Sequence, residues 1–246
     1  HSRILCKLLQ YKNQDGKYLI LESLLNYIVQ DCGKSHFENI RIDKPRITQE
    51  EERIDLWVRD STYAIIMENK VKNAVDQNTQ LARYIQKTRA QHYKDENIYI
   101  IYLPSDSHDP SENSWYDQDN GKSLKDDFKD RYIQLSFKKH IIRWLEKDVL
   151  PKCNKKDYLL TSAIQQYLDH LKGLFQQRSS QQKNIKEVEQ TIKKELGLEN
   201  KTLTEQISLV DAYIQSLNGV NEALKLINDE LHKLCFEPYI TLCKEY

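Results

Sequence analysis

Apolar residues fall in stripes of helical spacing at both ends of the chain and in short continuous runs between them. Ile4, Leu5, Leu8 and Leu9 form one stripe and Leu21, Leu24, Leu25 and Ile28 another, which predicts helices over 3–10 and 17–30 with a turn at 13–16. Short β-rich runs follow at Ile40–Ile42, Arg53–Val58 and Tyr63–Met67, with Arg59-Asp60-Ser61 as the expected hairpin turn between the last two. Gln77–His92 predicts a helix with Leu81, Ile85 and Thr88 on one side. Asn97–Leu103 predicts a buried strand stopped by Pro104. Residues 104–130 are rich in Ser, Asp, Asn and Gly and predict a long loop with some helix. Tyr132–Leu135 is a last short strand. Phe137–Leu150, stopped by Pro151, and Asp157–Phe175 are two further helices. This order of elements predicts a mixed α/β (α+β) fold in which one sheet is flanked by helices.

Gln176–Asn184 contains no apolar residue and marks a boundary between two units, 1–176 and 177–246. Beyond it Ile185, Val188 and Ile192 start a helix. Leu203, Ile207, Val210, Ile214 and Leu217 follow in alternating steps of four and three, and after Asn218-Gly219 the rhythm resumes at Leu224, Ile227, Leu231 and Leu234. The pattern predicts a helical hairpin with a narrow apolar seam. Packing of the seam on the rest of the chain is the simpler reading; a homodimer or a protein partner held through these helices is the other.

The 246 residues carry 37 basic and 37 acidic side chains. The whole-molecule field therefore pulls toward neither nucleic acid nor membrane, and any anion-binding surface has to be a local patch. No run approaches the roughly 20 consecutive apolar residues of a membrane span. The five cysteines include no C-x-x-C pair, so the sequence suggests neither a zinc site nor a disulfide framework, and a reduced, cytoplasmic setting is expected. A first residue of His1 suggests that the natural chain starts further upstream.

Few motifs carry chemistry. Gly33-Lys34-Ser35 ends like a phosphate-binding loop, but the glycine required five residues earlier is Ile28. There is no H-E-x-x-H and no G-x-S-x-G. One constellation remains. Asp55 lies in RIDLWV, and Glu68-Asn69-Lys70 closes AIIMENK. A hairpin centred on 59–61 sets residue i opposite about 120 − i, so Asp55 falls near Ile65 and Ile66 with Glu68 in diagonal reach. Glu68 and Lys70, two apart on one strand, share a face with Ile66.

Two carboxylates and an ammonium at one sheet end suit metal-assisted phosphodiester cleavage. Mg2+ wants oxygen ligands and binds through one or two carboxylates plus water, and a nearby Lys can stabilise the developing oxyanion. A surface salt bridge at a strand end is the bland alternative. The next helix carries Gln80 and Tyr84, an i,i+4 pair able to look back over the strand end, together with basic Arg83, Lys87 and Arg89. Arg89 fits a solvated face better than a site.

The ordered set Ile54-Asp55, Glu68-Asn69-Lys70 and Gln80-x-x-x-Tyr84 resembles the PD-(D/E)XK nuclease superfamily, and its last part is similar to the Q-x-x-x-Y signature of the RecB-like branch. It is similar further to a bacterial branch of nuclease-like proteins that open as His1–Leu9 do and carry a helix such as Trp144-Leu145-Glu146. The resemblance covers about residues 1–175. It implies a restriction-endonuclease-like αβββαβ core and hydrolysis of DNA dependent on Mg2+, with Mn2+ as a substitute. It implies Asp55 and Glu68 as catalytic metal ligands and the Asn69 carbonyl as a third ligand. Lys70 would be the base-like or charge-stabilising residue. Gln80 and Tyr84, with Arg83 and Lys87, would support the site or contact DNA. Some members add an acid from the first core helix, for which Glu22 is the candidate. The branch often has Gly before Arg-Ile-Asp, where this chain has Glu52 at the end of an acid run from Glu50. A weakly active or inactive nuclease fold that binds DNA or protein is the alternative, and a subunit that docks a helicase or methylase through its helices is a third reading.

Overall fold

The computed structural model describes residues 1–71, 76–153 and 157–244, with side chains described as far as residue 232. The chain divides into two compact units, His1–Arg178 and Ser179–Tyr246. In the first, helices α1 (Ser2–Leu9) and α2 (Leu19–Gln30) precede strands β1 (Arg46–Glu51), β2 (Ile54–Arg59) and β3 (Ala64–Lys70). Helix α3 (Gln80–Ala90) leads into β4 (Ile98–Pro104). A small hairpin, β5 (Tyr116–Asp117) and β6 (Lys122–Ser123), and a short helix α4 (Lys125–Phe128) come before β7 (Tyr132–Gln134). Phe137–Val149 is helical throughout, with wide π turns on either side of α5 (Ile142–Trp144), and α6 (Tyr158–Leu174) follows.

The five main strands form one mixed sheet in the order β1-β2-β3-β4-β7. The first three are antiparallel; β4 runs parallel to β3, and β7 parallel to β4. The helix α3 supplies the crossover that parallel neighbours require. All seven residues of β4 are buried, as expected of a central strand covered on both faces. On one face Leu56, Val58, Ile65 and Met67 pack with Leu9, Leu21, Ile28 and Trp144. On the other Trp57, Ile66 and Ile100 pack with Leu81, Ile85, Trp115 and Phe128. Strand alternation thus assigns every second residue of β3 to the α3 side.

Three expectations change. Ile40–Ile42 is not a strand: Ile40 anchors a loop in the core, and the first strand is Arg46–Glu51. Only Ile47 of that strand is buried, because an edge strand with few core contacts leaves no apolar run to detect. The β2–β3 register also shifts. Asp60 N–H donates to the Tyr63 carbonyl (2.9 Å), and the Asp60 carboxylate accepts from the N–H groups of Ser61 (2.7 Å), Asp43 and Lys44 (3.0 Å each). The buried Asp60 therefore organises a loop reaching Tyr63, longer than the expected 59–61 turn. Finally, α3 starts at Gln80 rather than Gln77, because Thr79 takes a left-handed φ of 58°.

The second unit contains α7 (Ser179–Glu195) and α8 (Leu203–Lys244), with Gly197 at φ 60° between them. Helix α8 runs through Asn218-Gly219 unbroken. One interior glycine costs about 1 kcal/mol, a penalty that so long a helix absorbs. Among the described residues, no helix is long and apolar enough to cross a membrane.

Candidate active site

Glu68 and Lys70 continue the Ile66 face of β3 and so point toward α3. The observed pairs Leu56–Met67 to Arg59–Ala64 set residue i against 123 − i. Continued by one step, this register brings Asp55 directly opposite Glu68, where the shorter turn had left only diagonal reach. At that point the Asp55 carboxylate closes the strand pair: its Oδ2 accepts from the Asn69 backbone N–H at 2.8 Å.

Helix α3 supplies the remaining members. Its Leu81 and Ile85 are buried on the sheet, which turns Gln80 and Tyr84 inward over the strand end. Gln80 Nε2 donates to Glu68 Oε1 (2.8 Å) and to the Tyr84 hydroxyl (2.9 Å), while Gln80 Oε1 accepts from Lys70 Nζ (2.7 Å). Lys70 Nζ lies 2.9 Å from Glu68 Oε1. One amide therefore fixes both charged groups of the pair and the phenol behind them.

Burial sets the proton chemistry. Glu68 and Lys70 are 3% and 4% exposed. Burial, and then the Asp55 charge, push the Glu68 carboxyl up to about 7, against the opposing pull of Lys70 and Gln80. Burial raises Asp55 too, although the Asn69 N–H and Lys70 favour its charged form. The Tyr84 phenol is pushed up to about 12 by burial and by Glu68, so it acts as a neutral hydrogen-bonding group.

The donor set suits a hard divalent cation. Glu68 Oε2 is buried without a hydrogen-bond partner, and the Asp55 charge is near enough to raise the Glu68 carboxyl; an orphaned oxygen with a second carboxylate nearby is what such an ion would satisfy. Among the described residues no group of three or more His, Cys, Asp or Glu side chains is placed to hold a metal. Two carboxylates with a main-chain carbonyl and water still match Mg2+, which keeps several waters.

Other expected residues lie further out. Glu22 does not join the cluster: it lines a separate cavity of about 440 Å3 with Tyr11, Asp148 and Asp157, because α2 packs across the sheet's opposite face. Lys87 donates to the Glu52 carbonyl (2.6 Å) and carboxylate (3.0 Å), tying α3 to the β1–β2 turn. Arg83 is exposed and bonded to Gln77 (3.0 Å). Of the acid run, Glu51 binds Arg59 at 2.6 Å and Glu50 is the member whose charge raises Asp55.

Three neighbours lie outside the residues that the sequence singles out. Asp76 accepts from the Tyr102 hydroxyl (2.9 Å) and stands 3.8 Å from Lys70 Nζ. Tyr102 sits beside Glu68 in the β3–β4 register. Ser2 Oγ accepts from Asn69 Nδ2 at 2.5 Å, bringing the start of α1 to the strand end. Alternation within β4 was the signal available for Tyr102. Asp76 and Ser2 arrive by tertiary approach alone.

A family model described as the PD-(D/E)XK nuclease superfamily matches residues 1–169. Proteins of that superfamily generally use divalent metal ions. No curated protein and no solved structure matches the chain at a significant level.

Proposed function

Since the chain belongs to the PD-(D/E)XK nuclease superfamily, we propose that it hydrolyses phosphodiester bonds within DNA, as an endonuclease dependent on Mg2+ with Mn2+ as a substitute, in DNA repair or in defence against foreign DNA. The observation that carries this reading is the buried, unpartnered Glu68 Oε2, in a carboxylate whose other oxygen is fixed by Gln80 and Lys70 and whose proton affinity the Asp55 charge raises.

Asp55 and Glu68 would hold the ion, with the Asn69 main-chain carbonyl as third protein ligand. A divalent cation bound there supplies Lewis acidity, lowering the pKa of a water and offsetting charge on the phosphate. The residues themselves do the positioning. Gln80 holds the Glu68 carboxylate and the Lys70 ammonium in one arrangement before substrate arrives, and that preorganisation lets the ammonium meet charge developing on the phosphoryl oxygens without rearrangement. Lys87 and Arg83, on the exposed side of α3, contact the DNA backbone, Lys87 after exchanging its Glu52 partner. A cytoplasmic setting fits the free thiols of Cys6, Cys32 and Cys153. Glu50 beside Asp55 favours a second reading, a slow or silent site that binds rather than cuts.

Incubating the protein with supercoiled plasmid and linear duplex, with Mg2+, Mn2+ or EDTA, tests the proposal. Nicked and linear plasmid should form only with metal, and Glu68→Ala and Lys70→Ala should abolish it. Equal inertness of wild type and both variants on DNA and RNA substrates would sink the enzymatic reading.

A further inference from the structure

Helix α8 carries an apolar face that the described residues of its own unit leave uncovered. Exposure runs from 48% at Ile214 and Leu217 to 73% at Leu203, with Ile207, Leu224 and Leu231 between. These residues follow a heptad. Ile207, Ile214, Asn221 and Asn228 fall at its first position, and Leu203, Val210, Leu217, Leu224 and Leu231 at its fourth. β-Branched residues at the first position and Leu at the fourth favour two parallel strands, and a buried Asn at the first position specifies register.

We propose that α8 pairs with α8 of a second copy of this chain in a parallel, in-register, two-stranded coiled coil over 203–231. This goes beyond the nuclease reading and does not rest on it. The asparagines choose the partner and the direction. In a parallel pair Asn221 meets Asn221 and Asn228 meets Asn228 across the axis, so each amide finds an amide. In an antiparallel pair first positions face fourth positions, and each Asn would face Leu or Val, leaving a buried amide unpaired. A polar pair on a foreign helix would need matching asparagines at the same seven-residue spacing, which a second copy supplies by identity.

The flanking positions agree. Residues bordering the seam would meet as Gln206–Asp211, Tyr213–Asn218, Val220–Lys225 and Ile227–His232, with no like-charged pair. Six of the seven aliphatic seam residues, all but the half-buried Val210, stand roughly half exposed or more, as do Val220 and Ile227. They offer several hundred Å2 per copy, on the order of the about 800 Å2 per partner that stable interfaces bury. Both chains would enter the coil at the same end.

Sedimentation velocity on the full chain decides the matter. A dimer is expected at micromolar concentration, monomer for Leu217→Lys/Leu224→Lys, and unchanged dimer for Leu226→Lys, whose side chain is 71% exposed and off the seam. Leu203→Cys should cross-link between copies in glutathione disulfide above the wild-type background, since an antiparallel pair would hold the two positions about 40 Å apart. A wild-type monomer at tens of micromolar overturns the proposal, as does a dimer that survives the double lysine variant. A dimer that Leu203→Cys fails to cross-link overturns the parallel arrangement. If the double lysine variant lowers the melting temperature without a change in mass, the face is covered within its own chain and the proposal fails.

Discussion

Lys70 Nζ and Glu68 Oε1 form an ion pair at 2.9 Å with both side chains almost fully buried. Such a pair gains little overall, yet removing one partner is costly because the other charge is left buried. Lys70→Ala should therefore do more than abolish cleavage. Removing the ammonium takes away an influence that lowers the Glu68 pKa, so the folded-state value climbs further above about 7. A raised carboxyl is harmless to stability below its unfolded pKa and destabilises as pH rises toward the folded value. Urea unfolding should show Lys70→Ala losing about 1 kcal/mol more, relative to wild type, at pH 8 than at pH 5. An equal loss at both pH values would mean Glu68 does not carry the penalty.

Gln80 spends both amide N–H groups and one lone pair of its Oε1 inside the cluster. Gln80→Ala should leave the fold intact and reduce cleavage about 10–100-fold, the usual cost of losing a residue that orients a metal ligand. Gln80→Glu should be worse, since a third carboxylate beside Glu68 favours protonation of the pair. Titration of metal-dependent activity separates the two effects.

Metal binding and protons should compete at Glu68. The folded carboxyl is pushed up to about 7, so the ligand is mostly ionised at pH 8 and mostly protonated at pH 6. Apparent affinity for Mg2+ or Mn2+ should fall roughly tenfold per pH unit below that value. Thermal shift should show stabilisation by Mn2+ at pH 8, a much smaller shift at pH 6, and none in Glu68→Ala.

The β1–β2 turn places Glu52 and Arg53 at φ 54° and 65°. Two-residue hairpin turns with both central residues left-handed favour Asn-Gly. Glu52→Asn/Arg53→Gly should therefore stabilise the protein by about 1 kcal/mol, after loss of the exposed Lys87 ion pair. A rise in melting temperature checks this; a fall would show that the Glu52–Lys87 contact outweighs the backbone strain.

Sequence alone determined most of the membership of the candidate cluster. Asp55, the Glu68-Asn69-Lys70 triplet and the Gln80/Tyr84 pair were legible because period-two alternation and four-residue helical spacing are local, and each fixes which side chains share a face. The buried strand at Ile98–Pro104 and the helical stripes were legible for the same reason. The tertiary structure decided what depends on distant segments. The Asp60-centred loop, held partly by the N–H groups of Asp43 and Lys44, moved Asp55 from Ile65 and Ile66 to Glu68. The edge strand Arg46–Glu51 pairs through its backbone with little apolar pattern. Asp76 and Ser2 reached the site, and Glu22 was carried to another cavity, through packing that no short window of sequence encodes. The pKa of Glu68 belongs to this second class, because burial is its largest cause and burial exists only once the helix α3 lies on the sheet.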